Sequence, residues 1–597
     1  MSEDTDMRGQ TLLRLIKQGE KYRDERFGKT AKELEVYDYT DKVIDDITWD
    51  DAISFKIKVR KTSQFKREIG ARLFNANPTF RSNAQPWSTP VSQTRAAIME
   101  AYLNYCKNEN DLFDTLEDTL INGGLGFGLG VVWTGLHPDK EGVVTCADDS
   151  WHNLVLDPDA KKWSQLNWVA RRRFKARWWL MQRYPEHKSQ IKHMTGRNRR
   201  SEDDDDDSAD TSTEMVCFYE IWMRTGLHHY KDGADSEDLV DEPRKYIVSS
   251  DGTILFEGDW ETPLHLDGRW PCVPLVFYKH PEEVWPISPL EPGLSWLKGM
   301  NVVATMLIAK YRVCNGRTII ALLQANGSTL SEEDQDKILY GNNPVEVIFP
   351  KLNAVDNNPD VRQAIQTITL QSDLSADMAV FAFLAENFEK ETGLYEFLYT
   401  GQTDKQDRSA FATQMREQNT RSRIDYMQTK LDHFLSQLGR QLALTARYHL
   451  TGEDIAPFLG EEAGEAWGML MGVEDMDPDR ILSELIEDGV PYEMALMQAQ
   501  EIIAQGTSYD EWRNEIDYGI EIGSTVRKSP EAEREANEMA IQQVVPIMLQ
   551  TGLFAAAGEF LAKQGELSGL TIEQVDLIRD SLRQLQEMQQ PQEQPIA

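Results

Sequence analysis

LEPGLSWLKGMNVVATMLIAKYRV, residues 290–313, is the stretch on which the reading of the fold turns. It keeps a helical pattern over about 24 residues and stops at Asn315-Gly316, a good helix C-terminal signal. Two short β-branched runs follow, RTIIALLQ (317–324) and PVEVIFP (344–350), with SEEDQDKILYG (331–341) between them. From 360 to 390, Val361, Ile365, Ile368, Met378, Phe381, Ala385 and Phe388 recur close to a 3.5-residue seam. That spacing predicts a second long helix, roughly 46 Å at about 1.5 Å per residue. TGLYEFLYTGQTDKQDR (392–408) breaks the pattern with Gly393 and Gly401. A further long helix is expected over 409–450, striped by Phe411, Met415, Ile424, Met427, Leu431, Phe434, Leu438 and Leu442. The order is helix, small β insert, helix, glycine-bounded loop, helix.

Upstream, residues 4–61 are charged and helical in pattern, and 89–120 continue with Ala96, Ile98, Met99, Tyr102, Leu103 and Tyr105 at helical spacings. INGGLGFGLGVVWTGLHPDKEGVV (121–144) then changes period and predicts a β-hairpin after a glycine-rich entry. A short helix is expected at 176–184, closed by Pro185. Asp203 to Asp207, flanked by Ser and Thr, read as a solvated loop. MVCFYEIWMRTG, RKYIVSSDGTILFEGDW and PCVPLVFYKH form a cluster of strands. Downstream, two helical segments are expected over 479–505. NEIDYGIEIGSTVRKSP (514–530) alternates Ile516, Tyr518, Ile520 and Ile522, a late strand returning to an earlier sheet. After Pro530 the pattern is helical, with Ile572, Val575, Ile578, Leu582 and Leu585 on one face, until a Gln/Pro-rich end.

The chain has 597 residues, a prior of about four domains at roughly 150 residues each. Sixty-three Lys and Arg stand against 99 Asp and Glu, a formal charge of −36, with 40% hydrophobic residues. That composition can build a large core and disfavours a tight nucleic-acid binder, which needs cations to displace counterions. Cys106, Cys146, Cys217, Cys272 and Cys314 are too scattered for a zinc site or a disulfide framework, so a reducing compartment is expected. The first 20 residues lack the apolar core of a secretory signal. The longest strongly apolar stretch, 302–309, is far short of a bilayer span. A soluble cytoplasmic protein without membrane contact is expected.

Catalytic signatures are missing. There is no GxxxxGK[ST], and the run Gly123, Gly124, Gly126, Gly128, Gly130 precedes a strand where a dinucleotide site needs a helix. His228-His229 are adjacent and no HExxH occurs; the aspartate run lacks the spacing of a calcium loop. No GxSxG elbow is present. No cofactor or metal is expected, and the chain reads as a non-enzyme. Two basic clusters stand out: Arg171, Arg172, Arg173, Lys175 and Arg177, interleaved with Trp163, Trp168, Trp178, Trp179 and Tyr184, then Lys192, Arg197, Arg199 and Arg200. They fit contact with nucleic acid or an acidic neighbour. The plainer readings are a solvated helix face, pairing with the aspartate run, and aromatic residues serving the core.

This order of pieces resembles the portal protein of tailed double-stranded DNA phages. SWHNLVLDPDAKKWSQLNWVARRRFKARWWLMQRYP (150–185) looks like the wing pattern of strand, Asp-Pro turn, strand and helix ending at Tyr-Pro. IEIGSTVRKSPEAERE (520–535) is similar to the strand and Gly-Ser turn before the last helices. The resemblance implies an α+β, mainly helical, portal-type subunit with wing, stem, clip and crown. The wing is 1–286, the first stem helix 287–314, the clip 315–359, the second stem helix 360–390 and the tunnel loop 391–408. Wing-return helices and the late strand occupy 409–528, and a helical crown with a frayed end 529–597. It further implies a homo-oligomeric ring, usually twelve-fold, at one capsid vertex of the virion, assembled in the host cytoplasm, through which double-stranded DNA is packaged and ejected. Its partners are the terminase large subunit, which carries the ATPase, then a head-tail adaptor, with the major capsid and scaffolding proteins. Gly393, Leu394, Tyr395, Glu396, Gly401, Gln402 and Lys405 fall on the tunnel loop, and Arg317, Gln324, Asp334, Lys337 and Glu346 on the clip interface. Arg171, Arg172, Arg173 and Lys175 are candidates for contact with DNA or a neighbour. The rival expectations are a metal-dependent nuclease or hydrolase with a dispersed acidic site, and a channel-less helical scaffold or adaptor.

Overall fold

In the computed structural model, the described residues are 2–39, 56–85, 90–109, 111–137, 140, 143–194, 196–197, 214–227, 243–260, 268–314, 318–322, 345–348, 365–369, 374–393, 410–461, 463–464, 467 and 516–520. The expected helices at 479–505 and 529–597, most of the loop 392–408, and the aspartate run lie outside them. The fold is α+β and mainly helical.

The charged N-terminal text forms α1 (Ser2–Arg23) and α2 (Lys29–Tyr39), joined through a π-helical turn, Asp24–Gly28. Then come α3 (Lys61–Leu73), β1 (Phe80–Ala84), α4 (Pro90–Glu109) and α5 (Leu112–Asp118). The glycine-rich entry is helical, a π-helical segment Thr119–Phe127 that folds back on β2 (Gly130–Leu136). A Cβ at Gly130 would lie 2.4 Å from the Thr119 carbonyl oxygen, so the close approach of segment and strand requires glycine. Gly128, at φ +92°, makes the reversal. β2 pairs antiparallel with β3 (Val144–Asp149), the expected hairpin.

β4 (Leu154–Leu156), β5 (Trp168–Ala176) and α6 (Arg177–Arg183) follow, and α6 ends before Pro185 as expected. After α7 (Lys188–His193) come β6 (Gly196–Arg197), β7 (Met215–Met223), β8 (Arg244–Ser249), β9 (Ile254–Gly258) and β10 (Cys272–Leu275). The sheet order is β4-β5-β7-β8-β9, with β6 beside β7. β10 leaves the other late strands and pairs with β2, making the sheet β10-β2-β3. Period-two alternation decides what each face meets. Tyr219, Ile221 and Met223 pack with Leu12, Leu13 and Ile16 of α1. Val216 and Phe218 pack with Leu180 of α6 and Ile191 of α7. Trp222 joins Trp133, Trp151, Trp260, Trp270 and Trp285 in an aromatic core.

α8 (Leu294–Cys314) is the opening helix of the decisive stretch. β11 (Thr318–Leu322) and β12 (Val345–Ile348) form where expected and pair in parallel. The expected single helix over 360–390 is corrected. Ile365–Thr369 is a strand, β13, antiparallel to β11, and the helix proper, α9, is Ser375–Thr392. Ile365 and Ile368 fit a helical spacing, but four of the five residues in IQTIT are β-branched, and pairing with β11 decides their state. The helix is therefore about 27 Å long at about 1.5 Å per residue, and the β insert extends to Thr369.

α10 (Ala410–His449) stands as expected, followed by α11 (Gly452–Leu459). Met427, Leu431, Phe434, Leu435, Leu438 and Leu442 of α10 are buried at the centre of the largest core. The late strand, β14 (Ile516–Ile520), pairs with β1 in a two-stranded sheet of its own. β1, FRSNA, has no alternating apolar text, so its pairing comes from tertiary context. The second edge of β1 is closed by α4. Asn104 accepts from the Phe80 N–H (3.1 Å) and donates to the Phe80 carbonyl (2.9 Å), and Glu100 accepts from the Ser82 N–H (3.0 Å). Two side chains thus stand in for a third strand. Replacing Asn104 with Leu keeps the bulk and leaves both Phe80 groups unpaired. The expected cost is about 2–4 kcal/mol, read as a lowered urea midpoint with faster amide exchange at 80–84.

Candidate subunit interface and loop anchor

α8 and α9 lie side by side and antiparallel. Lys310 meets Asp377 (2.7 Å), Trp296 meets Phe383 edge-on (6.2 Å between centroids), and a Cβ on Gly293 would reach the Phe388 ring. The base of this hairpin is tied to the body by polar contacts. Asn301 accepts from the Val59 N–H (2.8 Å) and Thr305 from the Ile57 N–H (3.1 Å). Lys298 pairs with Glu33 (3.0 Å), and Lys61 with Glu389 (2.9 Å) in a mostly buried bridge. Residues 299–309 and 378–385 contain no charged side chain. Met306, Ile308 and Tyr311 of α8 and Met378, Val380 and Phe383 of α9 are nonetheless exposed, Met378 and Phe383 at 61% and 57%. Exposed apolar side chains of this size on two adjacent helices are a candidate for burial in a protein contact. The two uncharged runs were readable in the sequence; that their outer side chains stay uncovered was not.

Gly393 ends α9 in the left-handed conformation, φ +81°, with its N–H on the Glu389 carbonyl (2.8 Å). Arg423 of α10 donates to the Lys390 carbonyl (3.3 Å), capping the helix C-terminus with a cation, and its side chain fills the space a Cβ at Gly393 would enter. Of the candidate loop residues, Gly393 alone is described; Leu394, Tyr395, Glu396, Gly401, Gln402 and Lys405 lie outside the described residues. So do Arg317, Gln324, Asp334 and Lys337. Glu346 sits on β12 opposite Ile319 of β11.

The arginine run falls on β5, a strand with neighbours on both sides, so of the plainer readings the solvated helix face does not hold. Successive residues therefore point to opposite faces. Arg171 is held by Asp149 (2.6 Å) and lies over Trp133 (4.9 Å), Arg172 approaches Glu20 of α1 (3.7 Å), and Arg173 meets Glu220 (3.1 Å). Arg177 is bound by Glu214, and Lys175 stands over Trp179 (5.4 Å). Among the described partners, carboxylates from distant elements do the neutralising.

This cation-rich setting acts on His152, whose ring stacks on Trp151 (3.8 Å). Burial, then Arg23, Arg172 and Lys32, push its pKa down to about 4, and Glu35 at 3.4 Å does not outweigh them. Glu35 is itself shifted upward by burial. Burial likewise raises the thiols of Cys106, to about 11, and Cys146, to about 12, which keeps them protonated and unreactive. Among the described residues no group of three or more His, Cys, Asp or Glu is placed to hold a metal, and no helix is long and apolar enough to cross a membrane.

A scan against protein-family models finds no match, and a search of curated proteins finds no significant relative.

Two outcomes follow from this geometry. The folded His152 binds its proton below the usual histidine range, so its stabilising neutrality is complete above about pH 6.5 and is lost as pH falls towards about 4. NMR titration should place the ring midpoint near that lower value, and His152→Gln should flatten the acid-side fall in stability; a midpoint of 6.5 or above contradicts it. Gly393→Ala forces a left-handed alanine against Arg423 and should cost about 1–2 kcal/mol by denaturant titration.

Proposed function

We propose that this chain is the subunit of a phage portal, a ring at one capsid vertex through which double-stranded DNA is packaged and later ejected. The observation that carries the reading is the antiparallel pair α8 and α9, flanking a three-stranded sheet and exposing apolar side chains along uncharged runs. In a lone subunit those side chains face water. In a ring, each hairpin lies against the next, and a contact between two different surfaces closes by rotation. The sheet β12-β11-β13 at the far end of the hairpin takes the place of the clip, the part that meets the terminase large subunit and afterwards the head-tail adaptor. α9 plus α8 takes the place of the stem, and the segment after Gly393, anchored by Arg423, that of the tunnel loop. The surrounding wing would meet the major capsid and scaffolding proteins.

The charge suits a conduit. At −36 per chain the summed field of a ring is strongly negative, and a wall that repels phosphate lets a duplex slide where a basic bore would hold it. The chain supplies the channel; the energy for translocation comes from the terminase.

Mass photometry and negative-stain microscopy of the full chain test the reading. Closed rings with a central hole are expected. A monodisperse monomer at micromolar concentration, a compact particle or a rod would each overturn it. Replacing Met378 and Phe383 together with Asp should weaken assembly by about tenfold or more, because exposed anchors of this size carry much of an interface's energy.

A further inference from the structure

The fold absorbs only part of the basic text. Residues 171–200 hold eleven Lys and Arg and one acid, Glu186. The rest of the chain holds 98 acids (99 less Glu186) against 52 bases (63 less eleven). Arg171, Arg172, Arg173 and Arg177 are matched by Asp149, Glu20, Glu220 and Glu214. Lys188 and Lys192 remain exposed, one helical turn apart on α7. The same lobe exposes the Trp178 ring on α6, 51% accessible. Its inner side is fixed: Leu180, Ile191 and Met194 close against Val216, Phe218 and Ile247 of the sheet. A rigid base thus presents an indole and two ammonium groups outward.

A duplex would satisfy the lysines through phosphate, but its bases are stacked inside and offer Trp178 no open ring face. An exposed tryptophan is typical of protein interfaces, where the ring supplies buried area, and lysines on the same lobe suit the polar rim, where charge sets register. The acidic protein present in equal amount at any assembly of this chain is the chain itself. We propose that the α6–α7 lobe docks, through Trp178, Lys188 and Lys192, on an acidic surface of a second copy. Lobe and acidic surface are different patches, so the contact is heterologous, the type that builds rings. The inference rests on the ring reading and adds to the apolar hairpin a second, salt-sensitive contact that sets the orientation of neighbours.

The test mixes full-length chains of natural and heavy isotopic composition, joins amines to carboxylates with a zero-length cross-linker, and follows assembly against salt. Expected are light–heavy products linking Lys188 or Lys192 to an Asp or Glu of another copy. Lys188→Glu with Lys192→Glu, and separately Trp178→Ser, should assemble about tenfold more weakly, the charge variant with a reduced salt dependence. Lys188→Gln with Lys192→Gln controls for misfolding: it should melt as the wild type does and show an intermediate loss. Products confined to single copies, or variants that assemble like wild type, overturn the proposal. Unchanged assembly with lost retention of a duplex also overturns it and assigns the lobe to DNA. Failure of the wild type itself to assemble defeats the ring reading first, a distinct result.

Discussion

The apolar stripe of α10 holds this protein together. Met427, Leu431, Phe434, Leu435, Leu438 and Leu442 sit in one core with Leu34 of α2, Phe65 of α3, Val132 of β2, Leu275 of β10 and Tyr518 of β14. Each fully buried side chain of this size contributes about 1.5–3 kcal/mol. The same helix closes against β1 at Gly439, where a Cβ would lie 2.8 Å from the Phe80 ring. It reaches the Phe277 carbonyl through Tyr426 and the end of α9 through Arg423. One long element therefore registers the β-rich body, the ribbon β1–β14 and the base of the exposed hairpin. Movement along α10 would be felt at all three.

Register plays the matching role in the sheet. A run of three arginines on a helix would fan around about 200° of its surface. On β5 it sends Arg172 toward α1 and Arg171 and Arg173 to the other face, each beside a carboxylate already there. Basic text thereby becomes internal glue between α1, β3, β5 and β7. The half-buried result also explains His152: a ring stacked on Trp151 among three cations stays neutral because taking a proton would add a fourth positive charge to a poorly hydrated site.

Much of this was legible in the residues, and the failures have physical reasons. Long elements with their own period were readable: α8, α10, the β2–β3 hairpin and the strand–turn–strand–helix of 150–185 all carry local patterns that agree with the tertiary outcome. Three features depend on partners far along the chain. Ile365–Thr369 reads as a helix by spacing and becomes a strand because β11 offers it an edge. Phe80–Ala84 has no strand pattern, and is one because Ile516–Ile520 lies beside it and Asn104 closes its other edge. The arginine run reads as a patch because Asp149, Glu20 and Glu220 are 22, 152 and 47 residues away from their respective partners. For the candidate interface, the uncharged runs at 299–309 and 378–385 were in the text, but exposure is a property of the folded pair.

In the proposed ring, charge and apolar surface would divide the work of association. Chains carrying −36 repel one another, so contacts between copies need either desolvated apolar area or a local reversal of sign. In the proposed ring the α8–α9 hairpin would supply the first: its exposed apolar side chains gain free energy with the area buried and impose no preferred direction of their own. Such a surface is adhesive but poorly directional. In the proposed docking, Lys188 and Lys192 would supply the second, on a lobe packed through Leu180 and Ile191, since charge on a rigid support favours one orientation over others. A closed ring needs both, because adhesion without direction gives aggregates, and direction without adhesion does not overcome the mutual repulsion of strongly acidic subunits.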